Sequence, residues 1–173
     1  LFEGGMREPC VMRWPGHIPA GTVCSELATT MDILPTLAAL AGGKLPEHRI
    51  DGHDIRPLAE GQPGAVSPTE AYYCYWLGEL HAVRSGKWKL HFPHDYRTLG
   101  GRPGGKGGQP AIYEQARTGK ELYDLENDLG ETRDVAAENP DVIRRFETLA
   151  EKARLDLGDK LTGIKGSGLR APG

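Results

Sequence analysis

Apolar positions change their spacing along this chain, and each change marks an element. Residues 9–14 (Pro-Cys-Val-Met-Arg-Trp) form a short apolar run closed by Pro15-Gly16, which predicts a buried strand. A loop follows over 18–28, with a turn at Pro19-Ala20-Gly21. Met31, Leu34, Leu37 and Leu40 then recur at helical spacing, so a helix is expected with these four as its buried face. Thr29 or Thr30 can cap it, Pro35 sits where a missing N–H is tolerated, and Gly42-Gly43 stops it. Residues 43–70 carry few periodic apolar positions. Asp51-Gly52-His53-Asp54-Ile55 reads as a turn, and Gly61–Pro68 as a linker that sets a subdomain boundary.

The second half is patterned for strands. Ala71–Trp76 is aromatic and strand-like. His81–Phe92 predicts a hairpin that turns at Ser85-Gly86, with Trp88, Leu90 and Phe92 alternating on its second strand. Glu121–Leu125 is another short strand. Asn139-Pro140-Asp141 starts a helix: Asn caps, Pro takes the first helical position, and Asp favours the positive end. Val142, Phe146, Leu149 and Ala153 are its expected buried face. Together these elements predict a small antiparallel sheet covered by one helix. The Gly-rich tail after Leu157 is expected to wrap the surface or stay disordered.

Composition narrows the function classes. The chain has 173 residues, 38% of them hydrophobic, with 24 Gly and 13 Pro, so a modest core with many loops is expected. No apolar run approaches the roughly 18 residues of a membrane span. A net charge of −3 argues against nucleic acid as the partner, but it leaves room for a local basic pocket. Cys10, Cys24 and Cys74 lack Cys-x-x-Cys spacing, so no zinc site is expected. Buried free thiols are the plain reading of the three, and one disulfide with a spare thiol is the other; the spacing does not choose a pairing.

Several motifs resemble those of one known family. They are Phe2-Glu3-Gly4-Gly5-Met6-Arg7-Glu8-Pro9 followed by Trp14-Pro15-Gly16, Asp32-Ile33-Leu34-Pro35-Thr36, and Asp51-Gly52-His53-Asp54-Ile55-Arg56-Pro57-Leu58. Ala82-Val83-Arg84-Ser85-Gly86-Lys87-Trp88-Lys89 and Leu122-Tyr123-Asp124-Leu125, with Asp128 and Gly130-Glu131 after it, continue the series. In this order they resemble the C-terminal portion of the type I sulfatases, in the branch of arylsulfatase A and N-acetylgalactosamine-6-sulfatase. Leu129 stands where that family usually has proline. The resemblance implies an α/β class: the C-terminal part of an alkaline-phosphatase-like sulfatase fold, ending in a small antiparallel sheet packed against one helix. Residues 1–65 would hold the last strand and helix of the large domain, 66–157 the C-terminal sheet-and-helix subdomain, and 158–173 the tail.

The same resemblance implies a sulfate-ester hydrolase acting on small sulfate esters or sulfated glycans, periplasmic or secreted as the intact parent. Its nucleophile would be a formylglycine made from the cysteine of Cys-x-Pro-x-Arg, and Ca²⁺ held by carboxylates and an amide would bind the sulfate oxygens. None of the three cysteines here lies in that motif, and the calcium ligands precede this region in the family. The last sulfate-binding lysine of the family lies a few residues before the Glu of Glu-Gly-Gly, which would place it upstream of Leu1. The fragment alone is therefore expected to be inactive, its partner being the N-terminal part of the same protein.

Four residues remain as site candidates. Glu3 and Arg7 are read either as support behind the sulfate pocket or as a buried ion pair fixing a Gly-Gly turn. His91 and His94 would lie at the pocket mouth as substrate contacts; a metal pair is disfavoured by Pro93 between them and by the lack of a third ligand. Arg84, Lys87 and Lys89 read as solvated edge charges, or as part of an anionic-glycan groove. Gly100–Gly107 resembles a phosphate-binding loop but has Gly107 in place of the required Ser/Thr, with no predicted strand before it or helix after it. Two other functions are open: a non-catalytic anionic-glycan-binding or interaction module, and a phosphoryl hydrolase of the same superfamily.

Overall fold

The structure is a computed structural model that describes residues 1–170; the last residues of the expected tail, 171–173, lie outside the described residues. The chain forms two compact units. One is Glu8–Glu70; the other joins Leu1–Arg7 to the chain from Ala71 onward.

The Glu8–Glu70 unit holds no strand among its described residues. The strand expected over 9–14 is absent, and Val11, Met12 and Trp14 are exposed. A strand needs a partner for its N–H and C=O groups, and none lies alongside in this unit. The expected helix is present as a 3₁₀ turn, Thr30–Asp32, that runs into α2, Ile33–Leu40. Its burial is not the expected one. Met31, Leu34, Leu37 and Leu40 are exposed, while Asp32, Pro35 and Thr36 are buried. The polar side is the packed side because it meets the 51–55 turn. Asp32 accepts from the Thr29 N–H at 2.6 Å, from the Thr29 hydroxyl at 3.0 Å and from the His53 N–H at 2.8 Å. One turn on, Thr36 Oγ1 accepts from the Ile55 N–H at 3.0 Å. Gly52 must be glycine for this approach: a Cβ there would lie 1.9 Å from the Met31 carbonyl oxygen. Pro35 is joined by Ile55 and Leu58 as buried apolar residues here, Leu58 on the short helix α3, Arg56–Ala59.

The second unit carries the strands. After a one-turn helix, α1 (Glu3–Met6), come β1 (Tyr72–Trp76), β2 (Glu79–Ser85), β3 (Trp88–His91), β4 (His94–Thr98), β5 (Glu114–Thr118) and β6 (Glu121–Asp124). A 3₁₀ turn over Ala136–Glu138 then leads to α4, Pro140–Leu157. Four strands make an antiparallel sheet in the order β1-β2-β3-β6, and β4 pairs with β5 in a separate ribbon. The expected hairpin is β2-β3, with Val83 opposite Leu90 and Leu90 opposite Leu122. These residues form the core with Leu80, Phe92 and the Phe146, Leu149, Ala150 and Ala153 face of α4; Val142 packs at its margin. The β4-β5 ribbon was not legible, since its strands are mostly polar and half-exposed. The Gly-rich loop joins them, so a strand does precede it, and a strand rather than a helix follows.

Strand alternation splits the sheet chemically. The core face meets α4. The other face carries Arg84 opposite Lys89, Lys89 opposite Tyr123, and Ala82 opposite His91. Pairing slips between Cys74 and Tyr75, which leaves His81 as an extra residue of a bulge in β2. The tail is fixed as far as it is described. Asp159 is buried and accepts from Leu80 N–H at 3.1 Å, Leu161 N–H at 3.0 Å and Arg154 Nε at 2.9 Å. Beyond it, Ser167 and Gly168 N–H groups bond the Leu155 and Asp156 carbonyls at the end of α4.

Candidate functional site

The polar face of the sheet is covered by Leu1–Arg7 and by Glu131, and the charged residues of these three parts meet there. Lys89 is wholly buried in mid-strand. Its ammonium donates to the Leu1 carbonyl at 2.8 Å, Glu3 Oε1 at 3.1 Å and Glu131 Oε1 at 3.0 Å, which uses all three of its hydrogens. Glu3 Oε2 accepts from Arg7 Nε at 3.0 Å and from Arg84 Nη1 at 3.2 Å. Glu131 Oε2 accepts from the backbone N–H of Glu3, and Glu131 Oε1 also accepts from His91 Nε2 at 2.9 Å. Two carboxylates thus face Lys89 and Arg84, with Arg7 at the rim. Burial of that much charge is tolerable because opposite signs balance and the acceptors are filled.

Glu131 is held in an unusual conformation. Its φ of +53° lies in the left-handed region, which a side chain enters at a cost of about 1 kcal/mol or more. Asp128 shapes this turn by accepting from the Thr132 and Arg133 N–H groups at 2.7 and 2.8 Å. The result turns the Glu131 carboxylate inward to the sheet rather than out to solvent.

Three imidazoles extend the cluster. His81 stacks on His94 with ring centres 3.8 Å apart, and His94 lies parallel to His91 at 5.7 Å. Phe2 stacks on His91 at 4.5 Å and touches Tyr96 at 5.0 Å. The carboxylate of Glu131 can only accept, so His91 carries its proton on Nε2; His94 likewise donates from Nδ1 to the Phe92 carbonyl at 2.7 Å. Burial lowers the His91 pKa, opposed by the bond to Glu131 and assisted by the nearby Lys89 charge. Burial also lowers His94 to about 4, partly countered by its backbone bond and reinforced by His81 and His91. Both rings are therefore neutral at pH 7. Burial alone would raise the Glu131 carboxyl, but His91, the Glu3 N–H and Lys89 outweigh it and hold the group below its ordinary value. Cys74, on the same face, is a neutral thiol: burial raises it to about 11, although Lys89 pulls the other way.

All four residues singled out from sequence fall in this one cluster, though not all as expected. Glu3 and Arg7 form an ion pair at 3.0 Å across the one-turn helix that contains Gly4-Gly5, but only Glu3 is buried and Arg7 is exposed, so it is not the buried pair expected. His91 and His94, expected at a pocket mouth, are wholly buried, because Phe2 and Tyr96 pack over them. Lys89 and Arg84 are not solvated edge charges: β6 pairs beyond β3, and Glu3 covers them. Lys87 does remain at the surface, bonded to Asp124 at 2.7 Å. Glu131 and His81 were missed. No periodicity marks Glu131, and His81 is delivered only by the bulge. The three cysteines are free thiols; Cys74 is buried, but Cys10 and Cys24 are exposed, against the expectation of burial. Among the described residues no three of His, Cys, Asp and Glu are grouped to hold a metal. The same residues form no helix long and apolar enough to cross a membrane.

Comparison with known proteins settles the family. Residues 1–94 match the family described as N-sulphoglucosamine sulphohydrolase, C-terminal, and residues 67–163 match the C-terminal region of aryl-sulfatase. The chain belongs to the sulfatases. It is 40% identical to human arylsulfatase A over 167 residues, covering 90% of this chain and 32% of that protein. It is 45% identical to pig N-acetylgalactosamine-6-sulfatase over 94 residues, 53% of this chain and 17% of that protein. The chain thus spans about a third or less of the length of these relatives. In fold it resembles the sulfatase PsFucS1 from Pseudoalteromonas sp., with a TM-score of 0.62 at 21% identity, over 82% of this chain and 28% of that one. This C-terminal sulfatase architecture, with its antiparallel sheet and packed helix, agrees with the expected fold class.

Proposed function

We propose that this chain is the C-terminal portion of a sulfatase whose complete protein hydrolyses sulfate esters, sugar sulfates among them. The observation that carries the reading is the pair of successive matches to sulfatase C-terminal regions, which together run through residues 1–163. The geometry supports it. The Glu-Gly-Gly-x-Arg segment, which in the family follows a sulfate-binding lysine, is held on the C-terminal sheet by Lys89 and Glu131. In this proposal the division at residues 65 and 157 is that of the longer protein.

A formylglycine would supply the nucleophile and Ca²⁺ the charge that neutralises the sulfate, both from residues outside this chain. The described residues offer that ion no ligand set. What this chain contributes is position: a rigid sheet, a buried ionic network, and His91 and His94 as neutral packing beneath Phe2.

The test is to assay sulfate release from an aryl sulfate and from sulfated sugars with Ca²⁺ present. Two proteins are compared, the 173-residue chain and the product of its coding region extended upstream. Turnover by the extended protein alone is the expected result. Turnover by the chain alone would contradict the division of labour. Phosphate-ester but not sulfate-ester cleavage by the extended protein would replace the sulfatase reading with a phosphoryl hydrolase.

A further inference from the structure

The buried network holds main chain as well as side chains. Lys89 Nζ takes the Leu1 carbonyl, and Glu131 Oε2 takes the Glu3 N–H, so the backbone is gripped on both sides of Phe2. Phe2 itself is stacked on His91, whose Nε2 bonds the same Glu131. Three contacts therefore converge on three consecutive residues, one on each. They come from mid-strand β3 and from the left-handed turn at Glu131, both far away in sequence.

We infer that Lys89 and Glu131 are positioning residues, a two-point clamp that fixes the main chain of Leu1–Glu3 and so the course of the segment approaching it. This rests on the sulfatase reading for its chemical purpose, since that segment would lead from the sulfate pocket. A buried ion network is a poor source of net stability compared with an apolar core, but it is demanding about geometry. Lys89 has three hydrogens and three acceptors, so Leu1 and Glu3 cannot shift without leaving an ammonium hydrogen or a carboxylate oxygen unpaired. The left-handed φ of Glu131 is tolerated where the surrounding structure holds it, and here it aims a carboxylate at a backbone N–H.

Amide hydrogen exchange on the 173-residue chain tests the clamp, comparing the natural protein with Glu131→Ala and Glu131→Gln. In Glu131→Ala the Glu3 amide should exchange roughly tenfold faster or more, while Leu90 and Leu122 in β3 and β6 keep their protection. Glu131→Gln keeps one acceptor oxygen, for which Lys89, His91 and the Glu3 N–H compete, so Glu3 should exchange at a rate between those of the natural protein and Glu131→Ala; if the alanine variant does not fold, this faster exchange at Glu3 with Leu90 and Leu122 unchanged carries the comparison. Unchanged exchange at Glu3 in both variants, or an equal rise at Glu3, Leu90 and Leu122, would overturn the proposal. Sulfatase assays of the upstream-extended protein separate the two readings. Absence of hydrolysis in the unsubstituted protein defeats the proposed function, whereas the exchange pattern alone decides on the clamp.

Discussion

At the scale of single residues, unpaired charge is the largest liability. Lys89→Met removes the one cation between two buried carboxylates and leaves Glu3 and Glu131 facing each other without it. The expected cost is about 3–5 kcal/mol, read from urea denaturation of the chain. Lys87→Met, at the surface a short step away in sequence, should leave the midpoint nearly unchanged in the same measurement. Thiol chemistry separates the cysteines. Cys10 and Cys24 are exposed, and Cys74 is buried with a thiol raised to about 11. A maleimide at pH 7.5 should label Cys10 and Cys24 at once and Cys74 only after denaturation. None of this contrast was legible in the sequence. Lys87 lies in the β2-β3 turn, whereas Lys89 sits inside β3 on a polar side of the sheet that became interior only because Leu1–Arg7 and Glu131 cover it.

At the scale of elements, the histidine stack couples the sheet to pH. His91 faces Glu131, Lys89, Phe2 and Tyr123; His94 faces His81, His91, Tyr96 and the Phe92 carbonyl. His94 is lowered from 6.5 to about 4 in the folded state, and His91 is lowered in the same direction. Between those values the unfolded chain binds protons that the folded chain refuses. The stabilisation is thus complete above pH 6.5 and is lost as pH falls toward 4. Urea midpoints from pH 7 down to pH 4 should decline, and His94→Phe should flatten the decline; a flat profile for the unsubstituted chain would refute the assignment. The 51–55 turn offers a second test. Gly52→Ala drives a methyl against the Met31 carbonyl, so it should cost about 1–3 kcal/mol, measured as a lower midpoint for the Glu8–Glu70 unit. Here sequence reading found the helix and misplaced its packed side. Apolar spacing reports which residues could share a face, whereas Asp32 and Thr36 decided which face docks on the turn through hydrogen bonds to His53 and Ile55.

At the scale of the whole molecule, the chain is a supporting part in the proposed reading. Its sheet, helix and tail form one packed body with Leu1–Arg7, held by an apolar core on one face and an ionic network on the other. The 173-residue chain should accordingly show a cooperative transition for this body and no sulfate-ester turnover, which circular dichroism and a sulfate-release assay would check together. Turnover by the 173-residue chain alone would overturn this reading.

The sequence by itself determined the family and most of the second unit: the β2-β3 hairpin, the β6 strand, the start of α4 at Pro140 and its apolar face, although Asn139 donates its side-chain amide to the Val135 carbonyl instead of capping the helix. These follow from local rules, such as period-two alternation, turn glycines and helix starts, that act among near neighbours. Only the tertiary structure decided that Glu3, Arg7, His91 and His94 share one site, that Lys89 is its centre, and that Glu131 and His81 belong to it. Those facts depend on contacts across dozens of residues, on a bulge that moves one side chain, and on a left-handed turn that aims another. No local pattern encodes which polar residue ends up covered, because the cover comes from elsewhere in the chain.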